Sequence, residues 1–358
     1  MKKTLILIII SIAAFVKADA QGCVAIRSTG GLCTDGAMDH AKPSKWSIGV
    51  NNRYFKSYKH FVGTEEQKQR TAGHTEVINH SYTMDIILTR NLNPRWSLSL
   101  DVPIVSNARS SLYEHDGKTR HSTHSFGLGD VRFTGYAWII DPTKLTKGNV
   151  QVGLGLKLPT GDYKYQDFFF KSDSIKVLGP VDQSIQLGDG GLGFSTEVNA
   201  YYNFNQFLGA YGNFYYLFSP REQNGTSTAR GGTPSSTAIL YGSSTMSVPD
   251  QYMLRAGLNL SVKKFVISLG VRDECLPSKD LIGESGGFRR PGYIISFEPG
   301  ITYNAKKISI YGYVPYALKR SRTQSFADIA RTNATGVYTQ GDAAFADYLV
   351  NVGASFRF

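Results

Sequence analysis

Trp96-Ser-Leu-Ser-Leu-Asp-Val-Pro-Ile104 sets a large apolar residue against a small or polar one at nearly every step. Consecutive side chains of a strand point to opposite faces, so Trp96, Leu98, Leu100, Val102 and Ile104 share one face and Ser97, Ser99, Asp101 and Pro103 the other. The same rule sets Val150, Val152, Leu154, Leu156 and Leu158 against Gln151, Gly153, Gly155 and Lys157. It also sets Leu192, Phe194, Val198, Ala200, Tyr202 and Phe204 against Glu197 and Asn199. Charged residues on one face of a strand and an unbroken apolar row on the other describe a wall with lipid outside and a polar interior.

Working outward, the spacing predicts strands near 46 to 58, 76 to 90, 96 to 106, 126 to 140, 149 to 159, 191 to 204, 207 to 219, 251 to 262, 265 to 275, 291 to 303, 307 to 319 and 345 to 358. The links between them alternate between short turns, such as Asn205-Gln206 and Lys263-Lys264, and long polar loops. That alternation belongs to an all-β protein, a single antiparallel transmembrane β-barrel of about twelve strands over residues 46 to 358, with its short turns in the periplasm. An even strand number returns both ends to the periplasmic side. The last strand runs Tyr348, Val350, Val352, Ala354, Phe356, Phe358 to a terminal aromatic, which resembles the signal read by the barrel-assembly machinery. Trp46, Trp96, Phe204, Phe207, Phe265, Tyr303 and Phe358 fall at the periplasmic ends, where an interfacial girdle is expected.

Composition agrees. Of 358 residues, 41% are hydrophobic, with 21 Tyr, 20 Phe, 37 Gly and 3 Cys. This favours pleated, half-buried surfaces and excludes a disulfide-stapled scaffold. No apolar run reaches the roughly 20 residues of a membrane-spanning helix. Lys2 and Lys3, the apolar run Leu5 to Val16 and Ala18-Asp19-Ala20 read as an export signal over residues 1 to 20. Its removal takes away three Lys and one Asp and lowers the formal net charge of +11 by two. The rival reading of Gly22-Cys23 as a lipidation site has poorer residues before the cysteine. Residues 21 to 45 then form a short periplasmic or plug segment in which Cys23 and Cys33 pair in an oxidising compartment, leaving Cys275 over.

Gly127-Leu128-Gly129-Asp130-Val131, then Val152 to Lys157 leading into Leu158-Pro159-Thr160-Gly161, then the return Leu187-Gly-Asp-Gly-Gly-Leu-Gly-Phe194, stand in order. This series resembles a family of outer-membrane transporters of the meta-cleavage pathway of phenol degradation. The resemblance is specific over residues 126 to 194 and architectural elsewhere, and the Cys23 to Cys33 loop is not part of it. It implies passive uptake of small aromatic or apolar molecules. The residues also have a plainer reading, since Pro159 ends a strand, Thr160-Gly161-Asp162 turns, and glycines let a barrel wall bend.

Strand parity sends Arg53, Asp85, Asp101, Asp130, Arg132, Lys157, Glu197, Arg255, Arg272, Glu298 and Arg357 to the lumen. Opposed rows of cations and carboxylates make a conduit that selects by charge and size. Alternatively they pair off and fill a barrel narrower than the 16 to 18 strands of an open porin. The loop from Thr160 to Gly190 carries Tyr163, Tyr165, Phe168, Phe169 and Phe170, a substrate-capture site or else aromatics packed on neighbouring loops or lipopolysaccharide. His121-x-x-His124 with Asp116 or Glu114 has the makings of a metal site, but ordinary solvated histidines are the expectation, and no metal or cofactor is assigned. His80-Ser81 and His124-Ser125 point to opposite faces and cannot pair as base and nucleophile, so an enzyme such as an outer-membrane lipid hydrolase ranks behind a channel or a closed structural barrel. Expected partners are outer-membrane lipid, lipopolysaccharide near Arg289-Arg290 and Lys319-Arg320-Ser321-Arg322, the assembly machinery and a small-molecule solute. No pattern suggests nucleic acid.

Overall fold

In a computed structural model the described residues are 44–144 and 147–358. The expected export signal and the expected Cys23 to Cys33 pairing lie outside them. Fourteen strand segments build a closed antiparallel wall of twelve crossings. They are β1 (Trp46–Val62), β2 (Ile78–Asn91), β3 (Trp96–Ser111), β4 (His121–Leu128), β5 (Arg132–Trp138), β6 (Gly148–Lys157) and β7 (Gly193–Asn203). The second half comprises β8 (Leu208–Phe218), β9 (Gln251–Val262), β10 (Phe265–Leu276), β11 (Gly292–Asn304), β12 (Ile308–Tyr313), β13 (Tyr316–Arg322) and β14 (Ala343–Arg357). Each crossing pairs with its sequence neighbours, and β1 closes the ring against β14 from Ser47 opposite Arg357 to Phe61 opposite Ala343. Among the described residues no helix is long and apolar enough to span a membrane.

Two expected strands are interrupted. Residues 126 to 140 were expected as one strand, but the fourth crossing is β4 and β5, broken at Gly129–Val131, with Gly127 at φ 156°. The eleventh is β12 and β13, broken at Val314-Pro315, where proline has no N–H for the ladder. The neighbours stitch that gap, as Val314 donates its N–H to Pro299 O and Leu349 donates to Pro315 O. β1 and β3 run to 17 and 16 residues, beyond the roughly 9–11 that cross a bilayer, and so rise above it on the outer side. His60 therefore sits in a wall strand.

The period of two is plain along β10. Phe265, Ile267, Leu269 and Val271 lie exposed on the outer face, while Val266, Ser268 and Arg272 are buried inside. Leu154, Leu258, Ile301 and Val352 continue this outward belt on other strands. The turns on the opposite side from the long loops are tight: Asn93 Oδ1 accepts the N–H groups of Arg95 and Trp96, and Asn205 Oδ1 those of Phe207 and Leu208. At the two-residue turn Lys263-Lys264, Lys263 takes φ 56°, which matches the strand twist. Trp96, Phe204, Phe207, Phe265 and Phe358 are exposed beside these turns. A closed wall with an apolar outer belt, an aromatic rim and a polar interior is the architecture of a Gram-negative outer-membrane barrel.

Candidate functional site: the lumen chamber

The break between β4 and β5 is where the three glycine-containing segments meet. Gly161 donates its N–H to Asp130 Oδ1 at 3.0 Å, and Asp189 donates its N–H to Asp130 Oδ2 at 3.1 Å. Thr160 Oγ1 donates to Gly129 O and accepts from the N–H of Val131, taking the place of wall hydrogen bonds at the gap. Lys157 reaches in from β6 to ion-pair with Asp130 at 3.6 Å and with Asp189. The glycines are required by closeness: a Cβ on Gly188 would lie 2.4 Å from Asp130 Oδ1, and one on Gly161 2.7 Å from Leu187 O. The convergence of these segments on one carboxylate is a tertiary fact without a local signal.

From this junction the loop between β6 and β7 folds inward. Val181, Ile185 and Leu187 are buried. Asn107 Nδ2 on β3 and Ser125 Oγ on β4 both donate to Ile185 O, and Arg109 Nη1 donates to Ser184 Oγ at 3.4 Å. Asp182 caps a short 3-10 turn over Gln183–Ile185 by accepting from the N–H of Ser184. It also collects three guanidinium groups, Arg109 at 3.5 Å, Arg230 at 2.7 Å and a bidentate Arg290 at 2.7 and 2.8 Å. Glu114 takes Arg109 at 2.6 Å and Arg230 at 2.9 Å. Burial opposes the charged form of Asp182, but Arg109, Arg290 and Arg230 outweigh it and hold the carboxyl well below its ordinary range.

The inward-pointing charges nearer the turns pair along the wall. Arg255 and Arg272 share Glu298 at 2.5 and 3.2 Å, and Arg272 also bonds Glu274 at 2.8 Å. Arg53 lies 3.5 Å from Asp85, which also accepts from Asn51 at 3.1 Å. Glu197 accepts from Tyr136 Oη at 2.6 Å. Asp101 is buried directly opposite Arg132 in the ladder. Arg357, at the periplasmic rim, donates to Ala305 O and Ser309 Oγ. Apart from Arg272–Glu274, which lies within β10, the side-chain bridges join adjacent or next-but-one crossings.

Above that band lies an open chamber between the wall and the inward loop. Arg53, Arg132, Lys157 and Arg290 reach it with Asp130 and Asp189, beside apolar Phe55, Leu187, Leu217, Met246 and Leu276. The lining thus combines charged, neutral polar and apolar groups.

The aromatic loop residues divide by position. Gln166–Phe170 and Lys176–Pro180 form a two-stranded hairpin above the chamber. Phe169 is fully buried, Phe168 is exposed, and Phe170 stacks on His121 with ring centroids 4.0 Å apart. His115 Nδ1 accepts the Phe170 N–H at 3.2 Å. Tyr163 packs against Gly190 and beneath Arg221, and the N–H of Tyr165 is held by Gln186. His121 and His124 diverge, because residues three apart on a strand face opposite ways, and no cluster of three or more metal-ligating side chains exists among the described residues. His80 turns outward to Tyr54 Oη at 2.8 Å while Ser81 turns inward to Asn107. The basic clusters are committed within the chain: Arg289 to Asp280, Arg290 to Asp182, Arg320 to Asp347 and Arg322 to Asp328. Cys275 is buried with a free thiol.

No family model matches the chain, and no curated protein does. Among solved structures, the COG4313 outer membrane channel from Pseudomonas putida F1 is similar at 10% identity and a TM-score of 0.56, over 88% of this chain and 97% of that one. The Ralstonia pickettii toluene transporter TbuX matches at 9% identity and a TM-score of 0.41 over 96% and 99%. The CymD monoaromatic hydrocarbon channel matches at 8% identity and a TM-score of 0.41 over 94% of each. At these identities the likeness is one of fold, and it places the chain among the outer-membrane β-barrels.

Proposed function

We propose that the protein is an outer-membrane channel for passive uptake of small molecules with an aromatic or apolar body. The observation that carries this reading is the chamber itself, a half-apolar space inside a closed wall, bounded by a loop held in place by its own ion pairs. The likeness in fold to an outer membrane channel supports it, as does the resemblance of residues 126 to 194. A closed structural barrel is the competing reading, favoured by the complete pairing of Glu298 with Arg255 and Arg272 below the chamber.

Two measurements separate them. Single-channel conductance of the mature protein in a planar bilayer should show steady openings, in the whole chain or, where the amino-terminal segment closes the lumen, only after removal of residues 21 to 45. Cells producing the protein should also take up a labelled aromatic solute faster than cells without it. Silence in both forms together with unchanged uptake would overturn the channel reading.

A further inference from the structure

The chamber contains one cation whose hydrogen-bonding capacity is not taken up by the described protein. Arg132 lines it from the start of β5, yet no hydrogen bond or ion pair reaches its guanidinium from any described residue. Its ladder neighbours are Asp101 on one side and Lys157 on the other, the face of Tyr215 lies 5.7 Å from ring centroid to Cζ, and the carboxylates of Asp101, Asp85 and Asp130 act on its charge from beyond ion-pair distance. The other chamber cations are committed, Arg53 to Asp85, Lys157 to Asp130 and Asp189, and Arg290 to Asp182.

The chamber carboxylates, in contrast, have their acceptor capacity filled. Asp130 accepts from two backbone N–H groups and Lys157. Asp189 accepts from the N–H of Gly191 and from Lys157. Arg132 is therefore the donor left unspent in this space, while Asp85 and Asp101 beside it each keep one buried oxygen without a hydrogen-bond partner. A guanidinium presents a planar fork of N–H donors matched to the two oxygens of a carboxylate.

The surroundings of Arg132 supply the other half of a ligand site. Tyr215, under the guanidinium, forms a buried cluster with Leu217 and Met253. Leu217 is the next inward position on β8, about 7 Å further along the strand toward the outer side. It lines the chamber together with Leu187 and Leu276. A charged fork thus stands at the inner end of an apolar wall.

Resting on the channel reading, we propose that this chamber binds small aromatic or apolar carboxylates. The carboxylate sits in the fork of Arg132, and the apolar body lies along Leu217, Leu187 and Leu276. This gives the site a preference for the anion over a neutral molecule of the same shape, because only the anion completes the fork with charge-assisted hydrogen bonds.

The test is equilibrium binding to the whole mature protein in detergent at neutral pH, by calorimetry, with benzoate and its neutral counterpart benzyl alcohol as probes. Benzoate should bind at least about tenfold more tightly, since charge-assisted hydrogen bonds are roughly twice as strong as neutral ones. Arg132→Gln should abolish the preference while keeping the benzyl alcohol affinity, which shows that the barrel has folded, and Arg132→Lys should retain part of it. Equal affinities in the native chain, or a preference that survives Arg132→Gln, would overturn the assignment. Binding is read without transport, so a chain that discriminates but does not conduct refutes the channel and leaves the site. A chain that conducts without discriminating refutes the site and leaves the channel.

Discussion

At the scale of single residues, the lumen is governed by who shares each carboxylate. Asp182 is the clearest case, with three guanidinium groups and a capped turn on one buried side chain. Removing one partner of a buried ionic network costs about 3 to 5 kcal/mol because charge is left uncompensated. Asp182→Asn should therefore loosen residues 181 to 187 and speed their amide hydrogen exchange, while the distant turn at Lys263 keeps its protection. The pH dependence follows from the sign. A carboxyl held below its unfolded value of 3.8 stabilises the loop above that pH and loses the contribution only as pH falls through its lower folded value. Loop docking should then be unchanged across the neutral range and fail only in strong acid. Gly188→Ala tests the neighbouring junction. A methyl 2.4 Å from Asp130 Oδ1 must push the carboxylate away, and overpacking of this kind costs about 1 to 3 kcal/mol, to be read as a lower temperature of heat-modified gel migration.

Strand parity suffices to aim a side chain inward, and it does so for residues such as Asp85, Lys157 and Glu298. It cannot choose partners. Arg255 and Arg272 were legible as lumen residues, but their sharing of Glu298 depends on the stagger between strands, which has no local signature. Asp182, Arg109 and Arg230 drew no notice at all, since they lie where a strand rises above the membrane or within loops, outside any alternating pattern.

At the scale of elements, the two broken crossings and the inward loop carry what the alternation omits. A period of two continues straight through Gly129–Val131, because a gap of three residues preserves the apolar look of its flanks. Only Gly127 and the nearby Asp hint at it. The hairpin over the chamber depends on a histidine. His115 is buried and lies near His121, and both effects lower its pKa below the ordinary 6.5, so that the neutral ring accepts the Phe170 N–H. Such a depressed base favours the docked hairpin above about pH 6.5 and loses that advantage as pH falls toward its folded value. The Phe170 amide should exchange faster at about pH 5.5 than at about pH 7.5 after correction for intrinsic rates, and His115→Gln should flatten the difference. Exchange that ignores acidification would dissociate the histidine from the docking of the hairpin.

At the scale of the whole molecule, the wall is held by lipid as much as by its own ladder. The outward face was the most legible feature, because every crossing must repeat the same alternation to satisfy the same solvent, as in β10 from Phe265 to Val271. Leu154 on β6 is among its most exposed members, at 65%. Leu154→Arg should cost about 2 to 4 kcal/mol in folding into vesicles if it lies near the midplane, whereas Leu240→Arg, on a short outer helix, should cost far less. Equal penalties would contradict the placement of the lipid belt.

The seam that closes the ring fixes the order of events during biogenesis. Trp46 and Phe358 exchange backbone hydrogen bonds, the N–H of each donating to the O of the other at 3.1 and 2.9 Å. The first and last strands of the wall are thus mutual templates, far apart in sequence. Until β14 docks, β1 is an open edge with a row of unsatisfied donors and acceptors, prone to pair with the wrong chain. Loss of β14 would leave that edge open, and aggregation in place of a smaller barrel is the outcome the topology favours.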